Sequence, residues 1–183
     1  MEGGIKAWRG ETAAGVPEAG MAYFAAADSL ETLVALAWGL EEGSRLFYQG
    51  VADRFTDTPA AIALFKELAG AEIHHKQYLL NAYRAAVGAE PDFERHRLRL
   101  GGALSGEIME GGIPVDLGLA WAEGRTTSEI LEFAMSMEVN AYDIYIKMER
   151  RIDDEKGKRI FQTLANEEHL HLRRLAELRE TTG

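Results

Sequence analysis

The sequence predicts an all-α protein, a four-helix bundle made of two duplicated helical hairpins joined by a long crossover connection. Three observations predict it. Glu-x-x-His occurs twice, as Glu72/His75 and Glu168/His171, nearly one hundred residues apart. Each copy follows a lone glutamate in a shared frame, since Glu41 stands seven residues before Tyr48 and Glu138 seven before Tyr145. The apolar neighbours repeat as well: Phe47-Tyr48 matches Ile144-Tyr145, and Phe65 and Leu68 match Phe161 and Leu164, with a one-residue slip in the hairpin turn.

The first helix is expected from Asp28, with Glu31 three residues on in a capping-box pattern, to about Phe55. Its apolar stripe holds Leu33, Ala37, Leu40, Phe47, Tyr48 and Val51, and Glu41 falls inside it. Thr58-Pro59 offers a capping hydroxyl and then proline at the first position, and Gly88 ends the second helix after Val87. Its stripe is Phe65, Leu68, Glu72, His75 and Leu79. The third helix is expected from Thr126/Thr127 to about Arg151, with Ile130, Phe133, Met137, Glu138, Ala141, Tyr145 and Met148 on one face. Asp153 and Asp154 suit the positive end of the fourth helix dipole, and its stripe is Phe161, Leu164, Glu168, His171 and Leu175.

Residues 88–126 separate the hairpins and include Gly101-Gly102, Gly111-Gly112 and Pro114. If a two-fold relates the hairpins, the second and third helices run parallel. The connection must then travel the bundle, ~39 Å for a helix of about 26 residues. A short helix is expected after Pro114 through Trp121, and exchange of hairpins between two chains is compatible with so long a link. Residues 1–26 are rich in Gly and Ala without a helical period. They divide the chain into an N-terminal tail or linker, 1–26, and one helical domain, 27–183.

The chain has 183 residues, enough for one domain with a sizeable core. It has no cysteine, which excludes disulfides, thiolate metal sites, iron–sulfur ligation and a cysteine nucleophile, and fits a reducing cytoplasm. The net charge of −10 argues against a nucleic-acid partner. No run of about eighteen apolar residues predicts a membrane span, and no signal peptide is visible.

Glutamates are seldom buried without a partner, yet one sits mid-stripe on each helix. In Glu-x-x-His the i,i+3 spacing puts both side chains on one helix face. The candidate ligands are Glu41, Glu72, His75, Glu138, Glu168 and His171. Glu72 and Glu168 bridge two metals in this reading, each histidine caps one, and Glu41 and Glu138 complete one each. Four carboxylates balance two divalent cations. Oxygen and imidazole donors suit two iron ions or manganese, and exclude neither zinc nor cobalt. Tyr48 and Tyr145 share the ligand face, as core packing and as hydrogen-bond donors to ligand carboxylates. His74 and His169 lie off that face. His96, Trp38, Trp121, Met135, Met137 and Met148 are read as solvated or packing residues.

The stretches Glu41 to Tyr48, Leu68 to His75, Met137 to Tyr145 and Leu164 to His171 resemble the rubrerythrin branch of the ferritin-like family, over about residues 28–180. The resemblance implies a ferritin-like fold and a non-haem di-iron site that reduces hydrogen peroxide or dioxygen. Rubrerythrins usually carry a four-cysteine rubredoxin domain. This sequence has none, so the resemblance implies an external electron-donor protein. They also often have a further glutamate three residues after the third-helix ligand; here that position is Ala141, and its counterpart on the first helix is Ser44. A homodimer is expected, with no nucleic acid or membrane among the partners.

Gly3-Gly4-Ile5-Lys6-Ala7-Trp8-Arg9-Gly10 resembles the end of a rhodanese domain, which implies the C-terminal part of a rhodanese–rubrerythrin fusion; a Gly-rich tail is the alternative. Against the oxidoreductase reading stand a ferroxidase or iron-binding protein without peroxidase turnover, and a bundle with no chemistry.

Overall fold

The computed structural model describes residues 27, 29–55, 58–92 and 108–182. The rhodanese-like stretch, Asp28 and His96 lie outside the described residues. Four long helices form two hairpins: α1 (Leu30–Arg54) with α2 (Pro59–Val87), and α4 (Thr127–Arg151) with α5 (Glu155–Thr182). Between the hairpins lie β1 (Ile108–Met109), β2 (Ile113–Pro114) and the short α3 (Val115–Ala122). The helix after Pro114 was expected; the two strands were not. They pair antiparallel, Met109 opposite Ile113, around a tip at Glu110, Gly111 and Gly112. Both tip glycines have positive φ, 83° and 73°, a backbone that residues with a Cβ rarely adopt.

The helix ends follow local chemistry, with two corrections. The cap of α1 is Ser29, not Asp28: the Ser29 Oγ accepts from the Thr32 N–H at 3.2 Å. Adjacent acid and hydroxyl both suit a cap, and periodicity cannot choose between them. Thr58 is the N-cap of α2 by backbone conformation, but its hydroxyl makes no capping bond, so Pro59 at the first turn is the operative start signal. Gly88 closes α2 in the left-handed region, its N–H on the Arg84 carbonyl. Thr126 and Glu129 form a reciprocal capping box on α4. Asp154 accepts from the Gly157 N–H at 2.8 Å at the start of α5.

The core divides into two apolar halves. One gathers Leu33, Leu36, Leu79, Met148 and Phe161; the other gathers Val51, Phe65, Leu68, Ile130 and Leu175. Along the chain, α1 passes from the first half to the second, α2 returns, α4 repeats that return, and α5 goes back. Hence α2 and α4 run in the same direction, and the connection between them has to span the bundle. At the waist between the halves, each of the four long helices places its stripe glutamate. No described helix is long and apolar enough to cross a membrane.

Candidate metal centre

Glu41, Glu72, Glu138 and Glu168 are fully buried, and His75 and His171 are 5% and 3% exposed. The bundle brings all six to one place. Their donor atoms fall into two overlapping groups, each within 4.8 Å: Glu41, Glu72, His75 and Glu168, and then Glu72, Glu138, Glu168 and His171. Glu72 and Glu168 belong to both. The Nδ1 of His75 lies 3.0 Å from Glu41, 3.2 Å from Glu72 and 3.3 Å from Glu168. The Nδ1 of His171 lies 3.2 Å from Glu168, 3.4 Å from Glu138 and 3.9 Å from Glu72. The two rings stack with centroids 5.1 Å apart.

Each tyrosine serves the opposite hairpin. Tyr48 on α1 donates to Glu138 on α4 at 2.5 Å, and Tyr145 on α4 donates to Glu41 on α1. Each ring also packs on a phenylalanine of its own hairpin, Tyr48 on Phe65 and Tyr145 on Phe161. Burial pushes both phenols well above their ordinary pKa, aided by the charges of Glu138 for Tyr48 and Glu41 for Tyr145, so each keeps its proton. His74 and His169 point outward and are exposed, as expected.

A cation fits the cluster on an observation of the side chains themselves. Glu72 Oε1, Glu138 Oε2, both carboxylate oxygens of Glu168 and His171 Nδ1 are buried without a hydrogen bond. Buried polar atoms are otherwise almost always paired, and unpaired ones are costly. Without a metal, the cluster balances its charge with protons. Burial raises Glu72 and Glu138, the latter to about 8, with the charges of Glu41 and Glu168 respectively adding to the effect. Burial opposes ionisation of Glu168 too, but the close imidazoles of His171 and His75 outweigh it and hold that carboxyl below the ordinary range. Burial likewise works against charging the imidazoles and is again outweighed. The charge of Glu41 lifts His75 far above its usual value, and that of Glu138 takes His171 up to about 10. Divalent cations offer the same balance without protons.

One buried acid of this neighbourhood escaped sequence reasoning. Glu110, at the tip of the β1–β2 hairpin, is fully buried. Its Oε2 accepts from the Ser44 hydroxyl at 3.0 Å, its N–H donates to Ser44 Oγ at 3.3 Å, and its Oε1 lies 3.4 Å from the Tyr145 hydroxyl. The signal was a lone acid between Ile108-Met109 and Gly111-Gly112-Ile113, which has no helical period to betray it.

A cavity of about 250 Å³ opens against His75, between Ala71, His74 and Tyr78 of α2 and Thr163, Leu164 and Glu167 of α5. A larger one, about 540 Å³, lies at Arg54, Phe55 and Thr126, away from the six side chains, and touches none of them. The first cavity is thus lined in part by one of the six side chains.

A four-helix bundle with a glutamate on each of two helices and Glu-x-x-His on each of the other two is the architecture of the ferritin-like carboxylate proteins that hold two metals. The Rubrerythrin family model matches residues 129–182, the second hairpin, consistent with a rubrerythrin or ferritin-like family and with a di-iron protein. No curated protein and no solved structure matches the chain significantly.

Proposed function

We propose that this protein is a non-haem di-iron oxidoreductase of rubrerythrin type, reducing hydrogen peroxide or dioxygen with electrons from an external donor protein. The observation that carries the reading is the pair of overlapping donor groups sharing Glu72 and Glu168, with buried carboxylate oxygens left unpaired. Glu41 and His75 would hold one iron, Glu138 and His171 the other, and the two shared glutamates both. Four carboxylates neutralise two divalent ions, so the filled site carries no net charge into the core.

The chemistry that iron supplies when bound there is the pair of electrons that, with two protons, turns one hydrogen peroxide into two waters. The chain's own residues do the rest. Tyr48 and Tyr145 fix the free rotation of Glu138 and Glu41 and retain a proton at each Oη. The cavity beside His75 admits a molecule of peroxide size, while the apolar halves exclude bulk water elsewhere. Within these residues no cysteine can ligate an electron-transfer centre.

Metal content per chain, by elemental analysis of protein purified without chelators, is the first test, and two irons are expected. Stopped-flow oxidation of the ferrous protein follows: peroxide reacting much faster than oxygen marks a peroxidase, and the reverse an oxidase. A chain that neither retains nor takes up metal would leave the bundle a scaffold. Faster reaction with oxygen, with uptake beyond two irons, would point to a ferroxidase.

A further inference from the structure

Five glutamates are fully buried among the described residues, and only four of them come from the bundle helices. The fifth is Glu110. Hairpin tips ordinarily face water; this one turns inward. Its seat is built from both bundle hairpins. At Gly43 of α1 a Cβ would stand 2.3 Å from the Ile108 carbonyl oxygen, so the β-hairpin backbone lies directly on that helix. At Gly111 a Cβ would approach Asn140 of α4 to 3.0 Å. The acid thus reaches between α1 and α4, anchored by Ser44 and set beside the hydroxyl of Tyr145. That phenol holds Glu41.

Among the described residues nothing equivalent stands on the other side. Tyr48 holds Glu138, but the position matching Ser44 is Ala141, which has no hydroxyl to anchor an acid. Glu110 belongs to neither donor group. It is a carboxyl held behind Glu41, one hydrogen-bonded residue removed. Its ionisation is opposed in the metal-free protein by burial and by the charges of Glu168 and Glu41.

We propose that Glu110 is a positioning residue of the metal centre, delivered by the crossover, that makes the two cation positions inequivalent by strengthening the one completed by Glu41 and His75. This rests on the two-metal reading above. The cause is electrostatic: a dication beside Glu41 offsets the negative charges that hold back ionisation of Glu110. The carboxyl then gives up its proton and favours that cation in return, and the effect falls with distance, so the Glu138 side gains less.

The probe is Co²⁺, which does not change oxidation state in air and reports its coordination by visible absorption. The metal-free full chain is titrated, followed by absorption and calorimetry. The wild type is expected to fill in two steps separated at least about ten-fold in Kd. In Glu110→Gln the tighter step weakens to meet the other, while the weaker step and the metal-free thermal melt hold. Ser44→Ala, which keeps the acid but loses its anchor, shifts the same step part of the way and decides the matter should Glu110→Gln fail to fold. Equal steps in the wild type, or variants that weaken both steps alike or neither, overturn the proposal and leave the two-metal reading standing. A wild type that binds no Co²⁺ and no Fe²⁺ overturns both.

Discussion

Tyr48 donates its hydroxyl hydrogen to Glu138, ninety residues further on, while its ring rests on Phe65 of its own hairpin. The same pattern joins Tyr145, Glu41 and Phe161. In Tyr48→Phe a buried carboxylate oxygen loses its donor. The metal-free protein is expected to lose about 1–3 kcal/mol in urea denaturation. Metal affinity on the Glu138 side should fall about 10–100-fold, read by Co²⁺ titration.

The shared and unshared glutamates should behave differently. Glu72→Ala removes a donor from both groups, and Glu138→Ala from one. Elemental analysis is expected to find no firmly held metal in the first and about one per chain in the second. Without metal, Glu138→Ala should melt lower than the wild type, because it leaves the Tyr48 hydroxyl and the His171 imidazole buried without their shared partner.

Metal uptake should release protons. At pH 7 the metal-free site holds a proton on His171, whose pKa is pushed up to about 10, and metal needs that imidazole neutral. A group raised in the metal-free state favours that state below its raised pKa. Affinity therefore climbs as pH rises toward 10 and falls as pH drops. Calorimetric titration in two buffers of different ionisation enthalpy counts the protons; equal heats in both would contradict it.

At Gly43 a side chain meets backbone rather than a flexible tip, so Gly43→Val cannot be absorbed by a rotamer change. A loss of about 1–3 kcal/mol in denaturant unfolding is expected. Because Glu110 rides on the displaced segment, the two Co²⁺ steps should also draw together.

Ala71 borders the cavity beside His75. Ala71→Trp is expected to slow Fe²⁺ loading and peroxide reaction in stopped-flow while leaving the equilibrium metal content unchanged. A variant that loads as fast as wild type would show that the route lies elsewhere.

What could be read from the chain depended on periodicity. The six waist residues were legible because acids interrupt apolar stripes in two copies, and the parallel run of α2 and α4 followed from the duplication, which the length of the link allows. The cap of α1 was misplaced by one residue because Asp28 and Ser29 satisfy the same local rule. Glu110 was invisible for a different reason. Its burial depends on a hydroxyl 66 residues away, on a helix it meets only in the folded chain. Short strands with two glycines at the tip leave no pattern that distinguishes an inward turn from an outward one.

The crossing of the tyrosines has a consequence for the halves taken singly. A lone hairpin would own an acid with no donor and a phenol with no acceptor, and two identical copies docked about an axis would cure both defects equally. Such a twin could never prefer one of its metals, since symmetry forbids it. Joining the copies in one chain adds a stretch of polypeptide with no twin of its own. Whatever that stretch touches is singled out, and here it touches the side of Glu41.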